Sequence, residues 1–342
     1  MESPAKGFDP VLAEERGSAV LQEGGHAGLS SRQGETGAPI RGSRRPDILL
    51  LAMAGRAHEM IESSDAVRIA LHDLGGPSGT TTPVLLFSHA TGLHGRVWEP
   101  LASFLSDRFR CVSLDLRGHG MSELPPGAGL AWSGMVDDIR AALDSDHLPV
   151  GPLHGVGHSM GGAALVLAAA ARPDAFRSLW MYEPVIVPPE DRPLFDGDNP
   201  MSEAAIRRRN EFDSLDQAYE NYRSKPPLDQ LHPEALRAYV DGGFARTPDG
   251  SVTLRCRPST EAEVFRRAAT SGAWDAVDSL EIPVAIVVGR PEDIGPGAFA
   301  PEIAAALLRG TLVERPHLGH FGPLEDPAAM AADVADWVRR NS

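Results

Sequence analysis

Short, almost wholly apolar runs alternate along this chain with longer segments of helical spacing, and that alternation is what most limits the fold. The runs PVLLFSH (Pro83–His89), FRCVSLDL, PLHGVGHS, FRSLWMYEPVIVP, IPVAIVVG and TLVERP are separated by segments such as VWEPLASFLSD, WSGMVDDIRAALDSD, GGAALVLAAAA and DPAAMAADVADWVRR. A strand that is apolar on both sides must be covered on both sides. Strands alternating with helices therefore predict an α/β fold: a doubly wound, mostly parallel sheet with helices on both faces. Ahead of these runs, AHEMIES and AVRIALHDLG flank the turn SSD and predict a β-hairpin.

One interval breaks the rhythm. Residues 188–273 are mainly of helical spacing, with a short DGSVTLRCRP piece. They are expected to form an inserted helical cap between two core segments, 57–187 and 274–342. Residues 1–56 form an N-terminal extension. Its first 45 residues, rich in Gly, Ser, Glu and Arg, lack the apolar side chains to offset ordering entropy, so disorder is expected. DILLLAMAGRAHEM is expected to dock loosely as a short helix.

Composition excludes several classes. The formal net charge is −15, and no basic cluster is long enough to track a phosphate backbone, so nucleic-acid binding is disfavoured. The two cysteines, Cys111 and Cys256, cannot frame a disulfide scaffold and sit in no C-x-x-C or Cys/His cluster. No metal and no cofactor are expected. The N-terminus lacks the basic-then-apolar pattern of a signal peptide, and the longest apolar run, Gly161–Ala171, is too short for a bilayer. A cytoplasmic protein acting on a small molecule is the expectation.

The stretch GVGHSMGG places Ser159 between the end of an apolar run and the start of a long alanine-rich one. A turn this tight from strand to helix strains the backbone at the serine. Gly157 and Gly161, two residues to either side, must lack side chains for the two arms to approach. That is the G-x-S-x-G nucleophile elbow. It exposes the hydroxyl and points the N–H of Met160, at the N-terminus of the next helix, toward a developing oxyanion. The serine needs a base, and RPHLGHFGPLEDP after the last run offers His317 and His320. His320, in a glycine-flanked bend before the final helix, is the expected base; His317 is expected at the surface. An imidazole titrates near neutrality, so it can accept the serine proton and return it to a leaving group.

The order HATG, DLRGHG, GHSMGG, GHFGPLEDP, with a helical insert, resembles the α/β-hydrolase superfamily from about Ala57 onward. The resemblance implies that the FSHATGLHG loop supplies a second oxyanion N–H. Thr91 is the expected donor, with Ala90 and Gly92 as neighbours, while His89 and His94 hold the loop. It implies that Asp115, Arg117 and His119 of DLRGHG are scaffolding rather than metal ligands. It leaves the acid open. Members usually carry it in the loop after the run that here reads VAIVVG, where Glu292 and Asp293 stand. Some relatives carry a glutamate at the end of the preceding strand, which is Glu183 here. Glu183 is favoured over Asp293, and Glu292 comes third, because a carboxylate in an apolar run needs a hydrogen-bonding partner such as a histidine N–H.

A serine with a histidine base implies attack on an ester, thioester, lactone or amide carbonyl through an acyl-enzyme. Carboxylic-ester hydrolysis leads. Carbon–carbon hydrolysis of a diketone is an alternative, and a slow-turnover ligand receptor is another. Phe195, Ile206, Phe212, Tyr219, Tyr222 and Phe244 are expected to form the cap's own core, and Arg207–Arg209 a solvated face.

Overall fold

The structure is a computed structural model that describes residues 58–291 and 295–342. The expected N-terminal extension, residues 1–56, lies outside the described residues, as do Glu292 and Asp293. An eight-stranded sheet forms the centre. Its strands are β1 (His58–Glu62), β2 (Arg68–Gly75), β3 (Val84–Ser88), β4 (Arg110–Asp115), β5 (Leu153–His158), β6 (Ser178–Tyr182), β10 (Val284–Val288) and β11 (Gly310–Glu314), in the spatial order β1-β2-β4-β3-β5-β6-β10-β11. The hairpin β1–β2 and the β2–β4 pair are antiparallel, and every other pair is parallel. The remaining strands, β7 (Glu211–Phe212), β8 (Phe244–Arg246) and β9 (Val252–Leu254), lie in the insert. The helices are α1 (Glu99–Ser103), α2 (Trp132–Asp144), α3 (Met160–Ala171), α4 (Pro200–Ile206), α5 (Leu215–Arg223), α6 (Pro233–Gly243), α7 (Pro258–Arg266), α8 (Ala300–Ala306), α9 (Gly322–Glu325) and α10 (Pro327–Arg340).

Side chains alternate across the sheet as the pleat requires. Leu85 and Phe87 of β3 join a core with Trp98, Leu101, Trp180 and Trp337, on the side of α1 and α10. Val84 and Leu86 join a second core with Met135, Ile139, Leu165 and Ile303, on the side of α2, α3 and α8. Both faces are covered, which is why these runs carry almost no polar residues.

The structure differs from the sequence expectation at several places. The run FRSLWMYEPVIVP stops being a strand at Tyr182, because Glu183 takes φ 41° and Pro184 has no N–H for a ladder. The insert is helical at α4 to α7 but also contains a three-stranded antiparallel sheet, β7-β9-β8. Its strands are two or three residues long, too short to print a period of two on the sequence. Phe212, Tyr222 and Phe244 are buried in one apolar cluster with Trp98 and Leu101, and Phe212 packs edge-on against Phe244 at 5.7 Å. Ile206 is exposed.

Asp115 ends β4 fully buried and ties three segments together. Its Oδ1 accepts from the Gly95 N–H (2.6 Å) and its Oδ2 from the Met121 N–H (2.6 Å), while His72 Nε2 lies 2.9 Å from Oδ2. Burial pushes this carboxyl up, but His72 and the neighbouring imidazoles outweigh it and hold it well below the usual range. Arg117 and Asp138 form a second buried pair at 2.9 Å, joining the turn after β4 to α2. His119 Nδ1 donates to the Arg117 carbonyl. Both cysteines are free and buried.

Several buried histidines are held neutral. Burial pushes His89 and His94 down to about 3 and His154 to about 4. The unfolded chain binds these protons near pH 6.5, and the folded chain does not until far lower pH. The unfolded state therefore binds more protons between these values, and stability falls as pH drops through that window. Each imidazole contributes at most about 1.4 kcal/mol per pH unit. Denaturant midpoints are expected to be flat above about pH 7 and to fall steadily below pH 6. Equal midpoints at pH 7.5 and pH 5 would contradict this.

Candidate active site

β5 ends at His158 and α3 begins at Met160, leaving Ser159 alone at the turn with φ 54° and ψ −119°. A non-glycine residue there is strained, at about 1–3 kcal/mol. Sterics around the turn show how it is built. A Cβ on Gly157 would sit 2.6 Å from the Gly162 Cα, and one on Gly161 would sit 2.3 Å from the Ser88 carbonyl oxygen. Only glycine at both positions lets α3 approach β5 and the end of β3. Ser159 itself is 5% exposed.

The turn is bonded to its neighbour strand. The Ser159 N–H donates to the Tyr182 carbonyl (3.0 Å), and the Val185 N–H donates to the Ser159 carbonyl (3.1 Å). Those bonds bracket Glu183. Its positive φ turns the side chain away from the strand path, and its own N–H donates to the Val287 carbonyl (2.9 Å). The carboxylate, almost fully buried, has two partners. Oε1 accepts from the Gly289 N–H at 2.9 Å, and Oε2 lies 2.6 Å from His320 Nδ1. Arg290, the alternative partner of a strand-end acid, is exposed and makes no ion pair among the described residues.

His320 stands in the turn after β11, held by its backbone. The His158 Nε2–H donates to the His320 carbonyl at 2.7 Å, and the Tyr182 hydroxyl donates to the Gly319 carbonyl at 2.7 Å. The rings of His158 and His320 lie 4.9 Å apart, centroid to centroid, which brings His320 beside the residue preceding Ser159. Burial holds His158 well below the usual imidazole range, so it stays an uncharged donor. His317 is exposed on the same turn and makes no side-chain hydrogen bond or ion pair among the described residues. The supports from His158 and Tyr182 carry no sequence signal. Both residues read as ordinary strand positions, and only the close approach of the β11 turn to β5 and β6 gives them a task.

On the other side of Ser159 lies the loop after β3. His89 Nδ1 donates to the Ala90 carbonyl (2.8 Å), and its Nε2 accepts from the Leu116 N–H (3.1 Å), so a neutral ring bridges two loops. His94 Nε2 donates to the Tyr239 carbonyl in the insert (3.0 Å). The N–H groups of Thr91 and Met160 have no acceptor among the described residues. Because Gly161 packs on the Ser88 carbonyl, the first turn of α3 is pressed against the strand that leads into this loop. No cluster of three or more metal-ligating side chains occurs among the described residues. No helix among them is long and apolar enough to cross a membrane.

The chain belongs to the alpha/beta hydrolase family, whose model matches residues 85–333. It is an alpha/beta hydrolase with the fold that name denotes. It is 27% identical over 267 residues to 2-(acetamidomethylene)succinate hydrolase of Mesorhizobium japonicum, covering 76% of this chain and 86% of the relative. It is 26% identical over 301 residues to bifunctional esterase/perhydrolase DCH of Acinetobacter calcoaceticus, covering 82% and 99%. Among solved structures, E-2-(acetamidomethylene)succinate hydrolase superposes with a TM-score of 0.69 at 22% identity, covering 83% of this chain and 99% of that one.

Gly161→Ala is expected to destabilise the protein by about 1–3 kcal/mol, since the added methyl meets backbone that cannot give way. Gly129→Ala, whose Cβ would find its nearest neighbour at 4.0 Å, is expected to stay within about 0.5 kcal/mol of the parent. Thermal denaturation of the pair checks the elbow geometry. Equal melting temperatures would contradict it.

Proposed function

We propose that this chain is a serine hydrolase that cleaves a carboxylic ester or related acyl bond through an acyl-enzyme, with Ser159 as nucleophile, His320 as base and Glu183 as acid. The observation that carries the reading is the 2.6 Å contact between Glu183 Oε2 and His320 Nδ1, with the other carboxylate oxygen bound to the Gly289 N–H. A buried carboxylate held this way fixes one tautomer: Nδ1 carries the proton, and Nε2 is left to accept one.

The steps follow from that tautomer. Ser159 Oγ attacks the acyl carbon while His320 Nε2 takes its proton, and Glu183 stabilises the imidazolium that forms. The N–H groups of Met160 and Thr91 stabilise the tetrahedral oxyanion. His320 returns the proton to the departing alkoxide, which leaves as the alcohol. Water, deprotonated by the same imidazole, then attacks the acyl-enzyme, releasing the acid and restoring Ser159. The insert, residues 188–273, acts as the cap that covers the acyl pocket.

Similarity to an esterase/perhydrolase supports ester chemistry. Similarity to 2-(acetamidomethylene)succinate hydrolase supports a second reading, in which the same residues act on a substrate that is not a simple ester. The carbon–carbon hydrolase alternative falls within it.

On a panel of p-nitrophenyl esters, Ser159→Ala is expected to lose on the order of a million-fold in kcat. Glu183→Gln, which keeps shape and removes charge, is expected to lose at least about a thousandfold, since a triad carboxylate is worth about 10⁴ in a related enzyme. Asp293→Asn is expected to lose less than about thirtyfold, as the loss of a spectator carboxylate's screened charge does. The reverse ranking of the two acids would move the acid to the loop after β10. Sustained turnover supports the hydrolase over a receptor, and a single-turnover burst would support the receptor.

A further inference from the structure

A cavity of about 860 Å³ opens between the insert and the turn after β4, and Ser159, Glu183 and His320 do not line it. Arg208, Arg255 and Arg257 do, together with backbone and polar side chains such as Ser122. Its lining contains one carboxylate, Glu123, and that group is already paired with Arg68 at 3.2 Å. Three guanidiniums around one cavity are unexpected in a chain whose formal net charge is −15.

The three differ in what satisfies them. Arg208 is largely buried and paired with Glu261 at 2.8 Å. Arg255 is half-buried. Its Nε donates to the Phe244 carbonyl (3.1 Å), but its terminal nitrogens meet no carboxylate among the described residues. Burial lowers its pKa, with Asp115 opposing from a distance. Arg257 is exposed at the start of α7 and makes no ion pair among the described residues. A desolvated cation without a counter-charge is costly, and an incoming anion removes that cost. Arginine is also the side chain whose fork matches a carboxylate or phosphate with two parallel hydrogen bonds.

We propose that this cavity is a second binding site, separate from the serine, for a small molecule bearing a carboxylate or phosphate group, which it holds through Arg255 and Arg257. The Arg208–Glu261 pair forms the wall between this site and the loop after β3. A Cβ on Gly92 would lie 2.4 Å from Glu261 Oε1 and 3.3 Å from Arg208 Nη1. Arg208 is thus committed to that wall, and the two arginines with free donors are the ones that face a ligand. The cavity's volume is within the usual range for small-molecule sites, about 300–1,000 Å³.

Isothermal titration of the full chain at low salt with succinate and, separately, inorganic phosphate tests the proposal. The two arms tell a carboxylate site from a phosphate site. At least one anion is expected to bind saturably, with its Kd raised about tenfold or more in Arg255→Gln and severalfold in Arg257→Gln. Arg140→Gln, a surface arginine outside the cavity, should bind as the parent does, and uncharged 1,4-butanediol, which offers the serine no bond to cleave, should not bind. Arg257 is exposed, so its variant tests the site even if Arg255→Gln fails to fold. No saturation by either anion up to about 10 mM, unchanged affinity in the arginine variants, equal weakening by Arg140→Gln, or equal binding of 1,4-butanediol would each overturn the proposal.

Discussion

The backbone of Ser159 at φ 54° is the constraint on which the rest of the candidate site depends. A side-chain-bearing residue keeps such a conformation only where its surroundings determine it fully. Here they do so from both ends. Gly157 and Gly161 remove the atoms that would force α3 away from β5, and the Tyr182 carbonyl and Val185 N–H lock the serine's own peptide groups. A helix N-terminus that could not approach so closely would leave the Met160 N–H aimed elsewhere. The strain at Ser159 and the placement of its helix are one feature.

The same device recurs at Glu183, which also takes a positive φ. Its turn removes a carboxylate from the strand path and delivers it to His320 and to the Gly289 N–H. Burying a charge there is tolerable because both oxygens are bonded. His320 is fixed in turn through its main chain by His158, and through Gly319 by Tyr182. Neighbouring strands β5 and β6 thus supply the serine, the carboxylate and the two groups that hold the imidazole's loop.

Much of this was legible in the sequence. The buried strands β3, β4, β5, β6 and β10 announce themselves because both faces are covered, so few polar residues interrupt them. GHSMG marks the elbow because only glycine satisfies its two close approaches. Glu183 stood out as a carboxylate in an apolar run, which is costly without a partner. What could not be read depends on contacts between distant segments. The small β7-β9-β8 sheet has strands too short for periodicity. The tasks of His158 and Tyr182 arise only when the turn after β11 folds over β5 and β6. The arginines of the second cavity look like a solvated helix face and a surface strand until the insert packs against the turn after β4.

Covalent trapping of the serine is the most direct measurement. The intact protein, incubated with a fluorophosphonate and digested, is expected to carry one adduct, on the peptide containing Ser159. The rate of labelling is expected to fall at least about a hundredfold in His320→Gln, because that variant lacks the proposed base. An adduct on another residue, or labelling of Ser159 at an unchanged rate in His320→Gln, would contradict the assignment of Ser159 and His320 as an activated pair.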